Sequence, residues 1–287
     1  MDKSNIKEIV PNNWVEIQPK EFALLRDLVY DNIGINLTEE KRNLVMGRLQ
    51  KILRREGFTS FHEYYQYVSK DKTGQALSEL ANSISTNHTF FYRENDHFNF
   101  FLEKALPEIV ERQKAAKEYD IRVWSAGCSS GEEPYTLVML LMEFLGSDYS
   151  RWNAGVLATD ISEKALNTAR AGIYEKEGVK NLPEKLVKKY FKKRPEGNYE
   201  VIEAVKKEVT YRRFNLMNTY FPFKKQFHAI FCRNVMIYFD NPTRKTLVEK
   251  FYNLTTPKGF FFIGHSESLK REECKYRYVM PALYKKE

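Results

Sequence analysis

The chain has 287 residues, 43% of them hydrophobic and 14% aromatic, and a formal net charge of +8. This length suits one large domain or two smaller ones with a substantial core, and the composition excludes a disordered chain. The positive balance favours an acidic partner (nucleic acid, anionic lipid or an acidic protein surface) without choosing among them. The opening MDKSNIKEIVPNN is polar and lacks the apolar stretch of a secretory signal. The longest apolar run, about Tyr135 to Leu145, is shorter than the roughly 20 residues of a transmembrane helix, so a buried core helix and no membrane insertion are expected. Cys128, Cys232 and Cys274 are far apart and odd in number, and the five histidines are scattered. No spacing suggests zinc, so reduced thiols, a cytoplasmic location and no metal site are expected.

The first third reads as helical. A helix over residues 21–32 ends at Gly34. Thr38 then stands as an N-cap before EEKRNLVMGRLQKILRREG, with Glu39 and Glu40 in the first turn, Arg54 and Arg55 in the last, and Gly57 as the stop. Val45, Leu49, Ile52 and Leu53 share one face of this helix. Lys41, Arg48, Lys51 and Arg55 form a basic stripe beside it, with no acid between Lys41 and Arg55. Ser60 caps a third helix, SFHEYYQYV, and a fourth lies around 74–84.

From about residue 120 the pattern alternates. IRVWSAG, GVLATD, FHAIFCRNV and GFFFIGHSES read as strands. EEPYTLVMLLMEFL, ISEKALNTARAG and NPTRKTLVEKFYNLT read as helices, and YRYVMPALYKK adds a last strand. Such alternation implies an α/β fold with a mainly parallel sheet covered on both faces. Residues 188–213 are lysine-rich, carry a turn signal at Pro195–Asn198, and read as a small antiparallel insertion.

Ligands of such sheets sit at the carboxyl ends of strands. Four ends carry informative residues. After the first strand, Ser125–Pro134 offers small residues and then a helix N-terminus. Asp160 closes the second strand, 29 residues after Gly131, and could hold ribose hydroxyls, cap the next helix, or do both. Asn215 and Leu216 suit an adenine edge and face. Arg233 and Asn234 end a buried strand, where polar groups need partners, and Tyr238 follows near the cleft.

Together these motifs resemble a known family. Thr86-Asn87-His88-Thr89-Phe90-Phe91-Tyr92-Arg93-Glu94 resembles the signature of the CheR family of chemotaxis receptor methyltransferases. SAGCSSGEEPY, ATDIS, FNL, FCRNVMIYF and GFFFIGHSES follow in the family order, from about Phe22 to Tyr284. The resemblance implies a Rossmann-like S-adenosylmethionine-dependent domain over 86–287, preceded by an all-α domain over 14–85 that docks a receptor. It also implies a β-subdomain inserted in the former, here 188–213. Asn87, Thr89, Arg93, Glu132, Asp160, Asn215, Leu216, Arg233 and Asn234 would contact the cofactor, with Arg93 and Tyr238 nearest the reacting methyl group. Two departures stand out. Tyr92 replaces a common Phe. The insertion is short near Pro195–Gly197 compared with members that tether to a C-terminal receptor peptide, so peptide docking is not expected.

The implied reaction moves a methyl group from sulfonium to a glutamate carboxylate of the helical cytoplasmic domain of a chemoreceptor. A glutamate with pKa about 4.3 is already ionised at neutral pH, so no general base is required. The chain's task is alignment and exclusion of water. The stripe Lys41, Arg48, Lys51, Arg55 is the candidate docking face, the alternative being a solvated helix face. A methyltransferase acting on another acidic protein or on nucleic acid is the competing reading. Against nucleic acid, the fourth strand end reads Arg-Asn-Val-Met-Ile-Tyr rather than Asn-Pro-Pro-Tyr. A nicotinamide dehydrogenase lacks its glycine fingerprint here. A receptor-binding module that only senses the cofactor is a third, non-enzymatic reading.

Overall fold

The computed structural model describes residues 14–85, 89–270 and 274–287. Four helices come first: α1 (Pro19–Ile33), α2 (Arg42–Glu56), α3 (Phe61–Lys70) and α4 (Gln75–Ile84). Their apolar faces enclose a core of their own, with Phe22, Leu25, Leu49, Leu53, Phe61 and Leu80 almost fully buried. The expected punctuation is present in part. Gly34 and Gly57 end α1 and α2 in the left-handed region, at φ +72° and +77°, and the Ser60 hydroxyl accepts the Glu63 N–H at the start of α3. Thr38, read as an N-cap, instead precedes one 3-10 turn, Glu39–Lys41, that leads into α2.

The connection to the sheet is α5 (Asn95–Phe100), a π-helical turn (Phe101–Ala105) and α6 (Leu106–Ala116). Then follow β1 (Asp120–Ala126), α7 (Glu132–Leu145), β2 (Asn153–Asp160), α8 (Glu163–Ala171), β3 (Ile173–Tyr174), α9 (Lys176–Val179), α10 (Glu184–Tyr190), β4 (Phe191–Lys193), β5 (Tyr199–Val201) and α11 (Glu203–Lys206). The chain closes with β6 (Val209–Arg213), β7 (Phe227–Cys232), α12 (Asn241–Leu254), β8 (Thr255–Ile263), β9 (Arg277–Met280) and β10 (Leu283–Lys285).

The main sheet has the order β6-β2-β1-β7-β8-β10-β9. Its first five strands run parallel, and the last two join antiparallel. Every residue of β7 is buried, as expected of a central strand with helices on both faces. The chain lays β2 and β6 on one side of β1, then returns to place β7 on the other. That reversal opens a crevice at the carboxyl ends of β1 and β7. Among the described residues no helix is long and apolar enough to cross a membrane.

Two sequence readings need correction. The insertion read over 188–213 is a three-stranded sheet β3-β5-β4, which draws in Ile173–Tyr174 and excludes β6. Strand β6 pairs parallel with β2, Val156 opposite Val209 through Asp160 opposite Arg213. An edge strand with one covered face alternates in burial just as a hairpin strand does, and a two-residue strand leaves no pattern to read. The last strand expected from YRYVMPALYKK is a hairpin, β9 and β10, turning at Ala282 with φ +60°.

Candidate functional site

The loop after β1 is built for close approach to a ligand. Gly127 takes φ +83° and Gly131 φ +98°, and a Cβ on Gly131 would lie 2.8 Å from that of Ala169. The N–H groups of Gly127 and Cys128 both donate to the Thr159 carbonyl, at 2.8 and 2.9 Å. Ser129 sits at φ +48°, and its N–H donates to Asp160 Oδ2 at 2.8 Å. The other oxygen, Oδ1, accepts the Ser162 N–H, also at 2.8 Å. Asp160 therefore ties the β1 and β2 tips together and leads into α8, while each oxygen keeps a lone pair for a further donor. Burial pushes its carboxyl above the usual range, against backbone bonds from Ser162, Ser129 and Ile161.

At the end of β7 the Arg233 side chain is only 4% exposed. Its Nη1 donates to Glu133 Oε2 at 3.0 Å, and its Nη2 to Glu94 Oε2 at 3.1 Å and to the Arg93 carbonyl. The guanidinium lies over the Phe98 ring at 5.0 Å. Burial works to raise the Glu94 carboxyl, but the Arg233 charge and the hydrogen bonds from Asn234 and Arg233 leave it lowered. Asn234 adopts φ +58°, and its Nδ2 reaches Glu94 Oε1 at 3.3 Å. The backbone at Asn234 is pinned by Glu267, whose buried carboxylate accepts the N–H groups of Asn234 (2.9 Å), Ile237 (3.0 Å) and Gly264 (2.5 Å). Burial raises this carboxyl and those backbone donors oppose the rise. Tyr92, Glu94, Ser129 and Asn234, all non-glycine, thus hold left-handed backbone around one place. Each such residue costs on the order of 1 kcal/mol and persists because its surroundings over-determine it.

These tips line one cleft of about 1060 Å³, its open mouth included. The opposite wall comes from the helical region, through Ile33, Ile35, Ala81 and Ser85. That wall is fastened to the sheet by hydrogen bonds. Asn215 Nδ2 donates to the Asn32 carbonyl at 2.6 Å, the Asn36 N–H donates to the Tyr238 carbonyl at 2.8 Å, and the Ser78 hydroxyl donates to the Ile161 carbonyl at 2.8 Å. Ile35 and Phe239 form an antiparallel bridge.

Of the residues singled out from sequence, Thr89, Arg93, Asp160, Asn215, Leu216, Arg233, Asn234 and Tyr238 all line this cleft. Asn87 lies outside the described residues. Glu132, expected to contact the cofactor, is absent from the lining, and its buried carboxylate accepts the Ser130 hydroxyl. Its neighbour Glu133 faces the cleft instead, held by the Ser125 hydroxyl at 2.7 Å and by Arg233. Adjacent acids at a helix start point different ways, and sequence does not say which way. Sequence reading also missed Glu94, Glu267 and the helical wall. Arg233 at the end of a buried strand was a signal for Glu94, since a buried guanidinium requires acids, but Glu267, which binds backbone N–H groups, had none.

The basic stripe is less free than its sequence suggests. Lys41 donates to the Asn36 carbonyl at 3.2 Å, Arg48 donates to the Ile84 carbonyl at 2.5 Å, and Arg55 pairs with Glu56 and Glu79 at 2.6 and 2.7 Å. Lys51 is exposed. None of the four lines the cleft. The three cysteines are all free thiols.

The cleft fits a nucleoside bearing a cationic group. Asp160 offers spare lone pairs at the β2 tip, Ile161, Phe214 and Leu216 give an apolar slot, and Glu133 adds negative charge. Residues 87–283 match the family profile described as CheR methyltransferase, SAM binding domain, and residues 20–85 match CheR methyltransferase, all-alpha domain. A chemotaxis protein methyltransferase of Borreliella burgdorferi is 44% identical over 95% of this chain and 96% of its own length. The chemotaxis protein methyltransferase of Escherichia coli is 37% identical over 89% of this chain and 86% of its own length. A probable chemotaxis protein methyltransferase of Rhizobium etli is 34% identical over 90% of this chain and 100% of its own length.

Proposed function

The chain belongs to the CheR methyltransferase family, an enzyme family of chemotaxis that uses S-adenosylmethionine, and from that premise we propose that it methylates glutamate side chains of a chemoreceptor. The observation that carries the acceptor class is the state of the acids in the cleft. Asp160 is engaged by two backbone N–H groups, and Glu133 by Ser125 and Arg233. Among the described residues that line the cleft there is no histidine. An amine acceptor must lose a proton and would want a free base there. A carboxylate acceptor arrives ionised and wants only alignment.

When bound, S-adenosylmethionine supplies an electrophilic methyl group on a sulfonium. The residues of this chain then bind and orient. Asp160 accepts hydrogen bonds from the ribose hydroxyls, and Asn215 and Leu216 take the adenine edge and face. Thr89, Asn87 and Asn234 complete the cofactor's polar contacts. Arg233 sets the floor of the cleft through Glu94 and Glu133. Arg93 fixes the methionine carboxylate or steers the incoming glutamate. Tyr238 packs beside the cation, which an aromatic ring favours. Holding oxygen, carbon and sulfur in line can supply roughly 7–11 kcal/mol of the barrier. The acceptor is the acidic helical cytoplasmic domain of a receptor, approached through the α2 face, and the enzyme works in the cytoplasm. The helical domain is taken as 14–85 and the methyltransferase domain as 86–287. A C-terminal receptor peptide is not required by an insertion this short.

The test is transfer of labelled methyl from S-adenosylmethionine to receptor-containing membranes, with DNA and an unrelated acidic protein in parallel. Label should appear on the receptor only, leave as methanol on mild alkaline treatment, and vanish when the receptor's acceptor glutamates are changed to alanine. Base-stable label, or label on DNA, overturns the reading.

A further inference from the structure

One cluster beside the cleft includes two histidines, His97 and His265, that have no part in the chemistry above. The His97 side chain is fully buried, yet neither ring nitrogen has a hydrogen-bond partner. An unsatisfied buried ring nitrogen is costly and calls for an explanation. His97 Nδ1 is 3.7 Å from Glu94 Oε2, and its ring centroid is 4.7 Å from that of His265. One ligand atom each from Glu94, His97 and His265 lies within 4.8 Å of the others. Asp96 Oδ2 holds His265 Nε2 at 3.0 Å, the carboxylate–histidine arrangement that orients metal-bound imidazoles. The sequence hid this set, since His265 follows His97 by more than half the chain and no ligand spacing announces it.

The geometry points to a binding site for a zinc-type transition cation formed by Glu94, His97 and His265, with Asp96 behind His265. Two imidazoles and a carboxylate suit zinc, cobalt or nickel rather than calcium or magnesium, which prefer all-oxygen shells. Ligand atoms around tetrahedral zinc stand about 3.3 Å apart, so groups spread over as much as 4.8 Å must draw together by up to about 1.5 Å. His265 can supply that movement, because its side chain is 44% exposed at the exit of β8. His97 offers a ring nitrogen that no hydrogen bond occupies. Glu94 already serves Arg233 through the same oxygen, so it would bridge two cations, and Asp96 contributes a second negative charge nearby. The cation would tie the Arg93–Glu94 turn to the loop that carries Glu267.

The test uses the full-length protein stripped with a chelator. Zinc is titrated against a chromophoric chelator, cobalt is added separately for its visible spectrum, and melting is followed with and without zinc. One zinc per chain is expected, with a cobalt spectrum lacking thiolate charge-transfer bands and a melting temperature raised by zinc. His265→Ala should weaken zinc at least tenfold and abolish the rise in melting temperature, and Asp96→Asn should weaken it several-fold. His265 is half outside the core, so its loss leaves a folded protein for comparison. Absence of saturable zinc binding overturns the proposal. So does His265→Ala protein that binds zinc as tightly as the wild type, because the metal then sits elsewhere.

Discussion

The side chain of Glu267 accepts the backbone N–H of Asn234 at 2.9 Å, which joins the loop after β8 to a residue held at φ +58°. The same carboxylate takes the Ile237 N–H, so one buried acid sets the turn that presents both Asn234 and Tyr238. Glu267→Ala should leave three backbone donors without their partner and cost roughly 3 kcal/mol of stability. Glu267→Gln, which keeps one acceptor oxygen, should cost less. Urea unfolding measures the loss, and calorimetry with S-adenosylhomocysteine should show weaker binding in the same order. Equal stability of all three proteins would remove Glu267 from this role.

Asp160→Asn replaces one acceptor oxygen by an amide nitrogen, which cannot receive one of the two N–H groups of Ser129 and Ser162. Cofactor affinity should fall roughly ten- to hundredfold, or about 1.4–2.8 kcal/mol. A dissociation constant within twofold of wild type would show that Asp160 serves only the loop and α8.

Arg93→Ala should lower turnover by about a hundredfold, the size expected when a reacting group is misplaced by an ångström. Tyr238→Phe keeps the ring, so its loss should be smaller, and Tyr238→Ala should exceed it. Wild-type kcat in both Arg93→Ala and Tyr238→Phe would refute the two assignments.

Stability should fall as pH drops from about 6.5 towards about 4. His97 and His228 are both buried, and burial foremost lowers each pKa to about 4 from 6.5. Within that window the unfolded chain binds protons that the folded chain refuses. The slope of unfolding free energy with pH is therefore positive, and the full contribution is present above pH 6.5. The two together amount to a few kcal/mol in order of magnitude. Denaturation curves at pH 7, 5.5 and 4.5 give the check, and His228→Gln should flatten the dependence.

Docking through α2 is best probed at Lys51. Arg48 and Arg55 also hold the Ile84 carbonyl and Glu79, so their reversal disturbs the packing of α2 on α4. Lys51→Glu should raise the KM for receptor severalfold, more at low salt than at high, with cofactor binding unchanged. A KM indifferent to both the substitution and the salt would exclude this face.

Much of this is legible in the sequence. The buried runs of β1, β2, β7 and β8 carry their own pattern, and polar residues placed straight after such strands marked the cleft. Asp160, Asn215 and Arg233 stand out because strand tips in a parallel sheet converge by topology, whereas Arg93, in the turn before α5, is implied by the family resemblance alone. What stayed hidden depends on direction and on distance along the chain. Nothing local distinguishes Glu132 from Glu133, and only the packed helix turns one inward. Glu267 and Glu94 meet Asn234 from opposite sides in sequence. Val209–Arg213 alternates as an edge strand must, which mimicked a hairpin. The short strand Ile173–Tyr174 offered two residues, too few for any period.

Ile33, Ile35 and Ala81 belong to the helical region and yet form a side of the cleft. The two halves of the molecule therefore share a wall: excising residues 14–85 would bare Ile161, Tyr238 and Phe239 to water and remove one side of the cleft. A protein grasped by its helices is also grasped by the wall of its own pocket. A macromolecule that binds one setting of α1 and α4 against the sheet more tightly shifts the affinity for the small molecule only if the small molecule also tells the settings apart, and the shift is then reciprocal.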